Sequence, residues 1–144
     1  MKKTLFALTL LCTLGLATMA LADSFNLAAL EAQAARGVPE GQKIASGADE
    51  LSAFVSLQTD KWNYQFTLST DKEPGMADAQ PLLYKGQDGF FFEPGIPGSG
   101  GLMILLNCGK TLTILCMPSQ IGDAETSLED MTAIADRMDL GALK

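Results

Sequence analysis

Two cysteines, Cys108 and Cys116, are the side chains of this chain best suited to covalent or redox chemistry. Both lie in one apolar stretch, Gly101–Met117 (GLMILLNCGKTLTILCM). Seven residues separate them, unlike the C-x-x-C of thiol oxidoreductases. The same stretch holds Asn107-Cys108-Gly109-Lys110-Thr111, which ends like a phosphate-binding G-x-x-x-x-G-K-[ST] loop. That pattern needs a glycine where this chain has Ile104, and a helix after the loop, whereas TLTILCM continues as a strand. A phosphate loop is therefore excluded.

Carboxylates form the other candidate constellations. Asp123, Glu125, Glu129 and Asp130 gather around a helix start, and Asp71, Glu73 and Asp78 share a loop. Neither run has the D-x-[DN]-x-[DN]-G spacing of a calcium loop. Acidic side chains in a first helical turn also complement the helix dipole without any ligand. Paired carboxylates can hydrolyse glycosides, but any acidic surface offers such pairs. The chain contains no histidine. That removes His-based triads, Cys–His dyads, imidazole bases and the usual zinc, copper and haem ligand sets. No catalytic residue, metal or other cofactor is expected.

The compartment follows from the N-terminus. Lys2 and Lys3 precede a mostly apolar run, Thr4–Met19, and Ala20-Leu21-Ala22 is a small-x-small cleavage site ahead of Asp23. Charge, length and cleavage chemistry together predict a secretory signal peptide over residues 1–22. The run is short for a membrane span of about 20 residues. Cys12 follows Leu11 rather than the small residue of a lipoprotein signal. The expectation is one exported domain, residues 23–144, periplasmic or alternatively secreted, with no transmembrane segment after processing. Losing Lys2 and Lys3 takes the formal charge from −7 to −9. An acidic chain with no basic cluster lacks the footprint of a nucleic-acid or anionic-membrane binder. In an oxidising compartment, paired cysteines tend to become disulfides.

The elements that must position these groups read as follows. Asp23–Arg36 is an alanine-rich helix capped by Asp23 or Ser24 and stopped by Gly37 and Pro39. Val38–Ala48 is a loop by its Gly, Pro, Ser and Lys content. Glu50–Gln58 fits helical and strand spacing alike, and its short connection to the next strand favours a strand. In Trp62–Ser69, Trp62, Tyr64, Phe66 and Leu68 alternate strictly with polar residues, as in a strand with one dry and one wet face. That aromatic row can serve as a carbohydrate or lipid platform. With aromatics only 7% of the chain, it is better used in the core.

Pro81–Lys85 and Gly89–Glu93 flank Gly86-Gln87-Asp88 as a hairpin. Phe90, Phe91 and Phe92 in succession place rings on both faces of the sheet, so both need cover or one is left as an apolar patch. Glu93–Gly101 is a Pro/Gly-rich loop, open to use by a partner. Gly101–Met117 is a hairpin closed by Pro118. Thr126 and Glu129 make a capping box, and Leu128, Met131, Ile134, Ala135 and Met138 form the buried stripe of a closing helix ended by Gly141.

The cysteines force a choice. With Gly109-Lys110 as a two-residue turn, Cys108 faces Thr111 and Cys116 faces Met103, about 16 Å apart along the strands and on opposite faces. A disulfide needs Cα atoms within roughly 7 Å. Hairpin and intramolecular bridge exclude each other, and the strand patterning favours the hairpin.

The expected fold is α+β: an antiparallel meander of about five to six strands, with an N-terminal and a C-terminal helix packed on one face. The expected function is a non-catalytic exported module that binds a protein partner or an apolar ligand in the cell envelope, through Phe90, Phe91, Phe92 and Ile96. A protein dependent on Cys108 and Cys116, through redox or subunit joining, is the main alternative. A carboxylate-based hydrolase stands behind both.

Overall fold

The computed structural model describes residues 25–122 and 124–144. The expected signal peptide and Asp123 lie outside them. The chain runs α1 (Leu27–Gly37), β1 (Gln42–Ala48), β2 (Ala53–Gln58), β3 (Trp62–Ser69), β4 (Gln80–Tyr84), β5 (Gln87–Phe92), β6 (Gly100–Leu105), β7 (Thr111–Pro118) and α2 (Leu128–Arg137), ending in a 3-10 turn at Leu140–Ala142. All strand pairs are antiparallel, in the order β1-β2-β3-β7-β6-β5-β4. Two meanders, β1–β3 and β4–β7, are joined where β3 pairs β7 from Trp62↔Pro118 to Ser69↔Thr111. The loop after β3 carries the chain from the sheet centre to its far edge.

Alternation sorts the side chains. Val55 and Leu57 of β2, Phe66 and Leu68 of β3, Leu102 and Ile104 of β6, and Leu112 and Ile114 of β7 form one buried cluster. Leu30 and Ala34 of α1 and Met131, Ile134 and Ala135 of α2 pack into the same cluster, so both helices lie on this face. Full burial of a side chain such as Phe66 or Ile114 contributes about 1.5–3 kcal/mol. Among the described residues, no helix is long and apolar enough to cross a membrane.

The α+β class and the two helices packed on an antiparallel sheet are as expected, but the sheet has seven strands rather than five to six. The additional one is β1, in the segment read as a loop. It is an edge strand with mostly exposed side chains, so no hydrophobic alternation marks it. Backbone pairing to β2 holds it, with a bulge at Ile44. The Glu31 carboxylate of α1 adds an ion pair with Lys43 (2.9 Å) and accepts from the Ser46 hydroxyl (2.6 Å). The ambiguous stretch before β3 is a strand, β2, with Ala53, Val55 and Leu57 buried.

Both turns tested by the hairpins shift. Tyr84 pairs with Gln87, leaving the two-residue turn Lys85-Gly86 rather than Gly86-Gln87-Asp88. Both turn residues have positive φ (47° and 82°), the geometry whose twist suits a two-residue hairpin. In the β6–β7 hairpin, Leu105 pairs with Thr111 across a five-residue loop, Leu106–Lys110. The Leu106 N–H donates to the Lys110 carbonyl (2.8 Å) and the Gly109 N–H to the Leu106 carbonyl (3.0 Å). Cys116 therefore faces Gly100, not Met103, and Cys108 sits in the loop rather than opposite Thr111.

Helix starts shift for a similar reason. Asn26 caps α1, its side chain accepting from the Ala29 N–H (2.9 Å). The capping box of α2 is Ser127 with Asp130, one residue beyond the Thr126–Glu129 pair. Thr126 is committed elsewhere: its N–H (3.0 Å) and hydroxyl (2.8 Å) both donate to the Gly98 carbonyl. The helix ends at Arg137, and Gly141 belongs to the 3-10 turn instead.

Candidate functional site

The triple phenylalanine of β5 divides its rings between the two faces. Phe91 pairs with Leu102 on the helix side, and its ring and Thr126 close together over Gly100. Phe90 and Phe92 point to the other face, opposite Met103 and Gly101. Phe92 is nevertheless only 5% exposed, because its ring fills the space above Gly101. Phe90 is half-buried. Ile96 stands apart in the Pro/Gly loop, 41% exposed. The four candidate contact residues are thus shared between two faces and a loop.

The face without helices is itself divided. On β2 and β3 it presents Ser56, Gln65 and Thr67 beside one ring, Phe54; on β7 to β4 it presents Leu115, Met117, Met103, Leu105, Phe90 and Leu83, with Thr111 and Thr113 among them. Leu83 is 70% exposed. Met103 and Phe92 are buried but belong to no part of the helix-side cluster. Among the described residues, no helix packs on this apolar half; the loop after β3 reaches it at Thr111, whose hydroxyl donates to the Asp71 carbonyl.

A groove opens on the helix side, where β3 begins and β7 ends. There the helices no longer cover the sheet, and Trp62, Tyr64 and Cys116 form its floor. Asp130, Ala133, Ile134 and Arg137 line one wall, at a spacing that puts them on a single face of α2. Glu125 and Thr126 close this pocket of about 290 Å³. They also line an adjoining pocket of about 300 Å³ with Glu93, Ile96, Pro97 and Ser99. Gly98 positions that second pocket: its φ of +80° suits glycine, and a Cβ there would collide with the Ala124 carbonyl.

The groove is not equipped for thiol chemistry. Burial pushes the Cys116 thiol up to about 11, so it is protonated near neutral pH and a poor nucleophile. Burial, then the neighbouring Cys116, pushes Tyr64 up to about 12. Hydrogen bonds from the Ser127 side chain and backbone hold the Asp130 carboxyl below its ordinary range. The Arg137 Nε donates to the Gly37 carbonyl at the end of α1 (2.8 Å). Of the ion pairs formed among the described residues, Lys43–Glu31 and Lys85–Asp136, neither involves Glu93 or Glu125.

Cys108 lies at the opposite end of β7, exposed in the hairpin loop, with its thiol against the Leu143 carbonyl (3.6 Å). Both thiols are free. The five steps from Thr111 to Cys116 alone span about 16 Å of strand. The acidic runs also have local roles: Asp130 caps α2, and Asp71 accepts from the Ser69 hydroxyl (3.1 Å). Among the described residues, no group of three or more His, Cys, Asp or Glu side chains is placed to hold a metal ion.

Sequence reasoning placed Trp62 and Tyr64 on the core side of β3, and they are there, but half-buried at its uncovered end. It did not bring Arg137, Cys116 and Glu125 to them. No protein-family model, curated protein or solved structure matches the chain.

Proposed function

We propose that this chain is an exported, non-catalytic domain, periplasmic or secreted, that binds a protein partner or an apolar ligand of the cell envelope. One observation carries the reading. Leu83, Phe90, Leu105, Leu115 and Met117 share a sheet face on which no helix packs, while both helices serve the other face. Large apolar side chains left partly exposed together mark interaction surfaces. The chain also lacks histidine, and the one thiol in a pocket is held protonated by burial.

The test is a comparison of the purified protein with its Phe90→Asp/Leu115→Asp variant, using an envelope fraction and a fluorescent apolar probe. Retention of an envelope component, or probe binding, by the parent protein and its loss in a variant with unchanged circular dichroism is the expected result. Equal behaviour of the two proteins would overturn the reading. Export is tested separately by N-terminal sequencing, which should begin at Asp23.

The thiol alternative narrows to subunit joining through exposed Cys108, because Cys116 is buried at the far end of the strand. A Cys108-dependent dimer on a non-reducing gel would support it.

A further inference from the structure

We propose that the groove at the Trp62 end holds an extended, cationic segment of a partner protein, with a lysine or arginine side chain over Trp62 and an apolar neighbour in the Ile96 pocket. This site lies on the helix side and is independent of the sheet-face reading, so either can fail alone.

The groove combines two unlike features. Its floor is aromatic: Trp62 and Tyr64 are half-buried because no side chain of the fold covers them fully. Aromatic faces attract ammonium and guanidinium groups, worth about 0.5–1 kcal/mol where exposed and more when desolvated. Its rim is acidic: Glu125 stands between the two pockets and Glu93 on the far side of the second. Neither carboxylate has an ion-pair partner among the described residues.

The other two charges of the groove, Asp130 and Arg137, are opposite in sign. Asp130 is held in the capping box of α2, and Arg137 is drawn to the Gly37 carbonyl. Both keep their charge, and with Glu93 and Glu125 the lining of the two pockets is net negative. The second pocket has a different character, with Ile96 and Pro97 among its lining residues. Two adjoining pockets sharing Glu125 and Thr126 suit consecutive side chains of an extended strand, one basic and one apolar. An acidic or neutral segment would leave Glu93 and Glu125 unpaired at the contact.

The chain has a single tryptophan, so its fluorescence reports this groove alone. The probe is a five-residue peptide of alternating lysine and leucine, with the matching glutamate–leucine peptide as control. The lysine peptide should give a saturable change in Trp62 emission that weakens as salt rises. Glu93→Gln/Glu125→Gln should weaken binding about tenfold, as expected for losing roughly 1.4 kcal/mol. Glu50→Gln/Glu73→Gln removes the same charge from the β1–β2 turn and the loop after β3, at the Ser69 end of that strand, and should leave affinity unchanged. By calorimetry, Trp62→Leu should also weaken binding severalfold, with unchanged circular dichroism in every variant. No saturable change, equal binding of the glutamate peptide, or equal loss in the distant double variant would overturn the proposal.

Discussion

The Phe92 ring occupies the space where a side chain of Gly101 would stand, across the β5–β6 pair. This contact explains how a large ring on the helix-free face is almost fully buried. It also makes Gly101 hard to replace, for a steric reason rather than a torsional one. Gly101→Ala should destabilise the protein by about 1–3 kcal/mol, the usual cost of overpacking. The ring can escape only by rotating outward, so Phe92 should become accessible in the variant. Urea unfolding gives the first quantity and binding of an apolar dye the second. A variant as stable as the parent would show that Phe92 does not rest on Gly101.

Cys108 and Cys116 should differ sharply in reactivity. The former is exposed in a loop; the latter is buried, with its thiol pushed up to about 11 by burial. A disulfide reagent at pH 7.5 should label one thiol per chain quickly and the second only after denaturation. Peptide mapping should assign the fast site to Cys108. No titratable thiol in the unreduced monomer would mean that the β6–β7 pairing is wrong, since strand and bridge exclude each other.

The parts of the fold with a strong apolar pattern were legible in the residues: β3 alternates strictly, β6 and β7 are continuous apolar runs, and the α2 stripe of Met131, Ile134 and Ala135 has helical spacing. Their burial depends on one neighbouring layer, which the pattern itself implies. β1 was not legible because an edge strand buries little and is held by backbone hydrogen bonds that any sequence can make. The α2 cap was misplaced by one residue because Thr126 and Ser127 can both cap a helix. Only the distant Gly98 carbonyl decides between them.

The groove was illegible for a reason of length. A ten-residue helix reaches about 15 Å, whereas an eight-residue strand extends about 26 Å. No helix of that size covers all of β3, and the end left bare carries Trp62 and Tyr64. Which end that is depends on how α2 is tied at Thr126 and Arg137, contacts spanning far-separated parts of the chain.

Alkaline pH should loosen the fold through the floor of that groove. Cys116 ordinarily titrates near 9, and burial raises it to about 11. Tyr64 moves from about 10 to about 12, first through burial and then through Cys116. The folded chain thus holds both protons more tightly than the unfolded chain. Above pH 9 the unfolded state releases its thiol proton while the folded state keeps it, which favours unfolding. Stability contributed by Cys116 is complete below about pH 9 and is lost as pH rises through about 11; that from Tyr64 is lost between about 10 and 12. The urea midpoint should therefore fall progressively from pH 9 upward. In Cys116→Ala the fall should begin about one unit later, whatever the variant's stability at neutral pH. An onset unchanged by this substitution would mean that Cys116 is not buried as the β7 register places it.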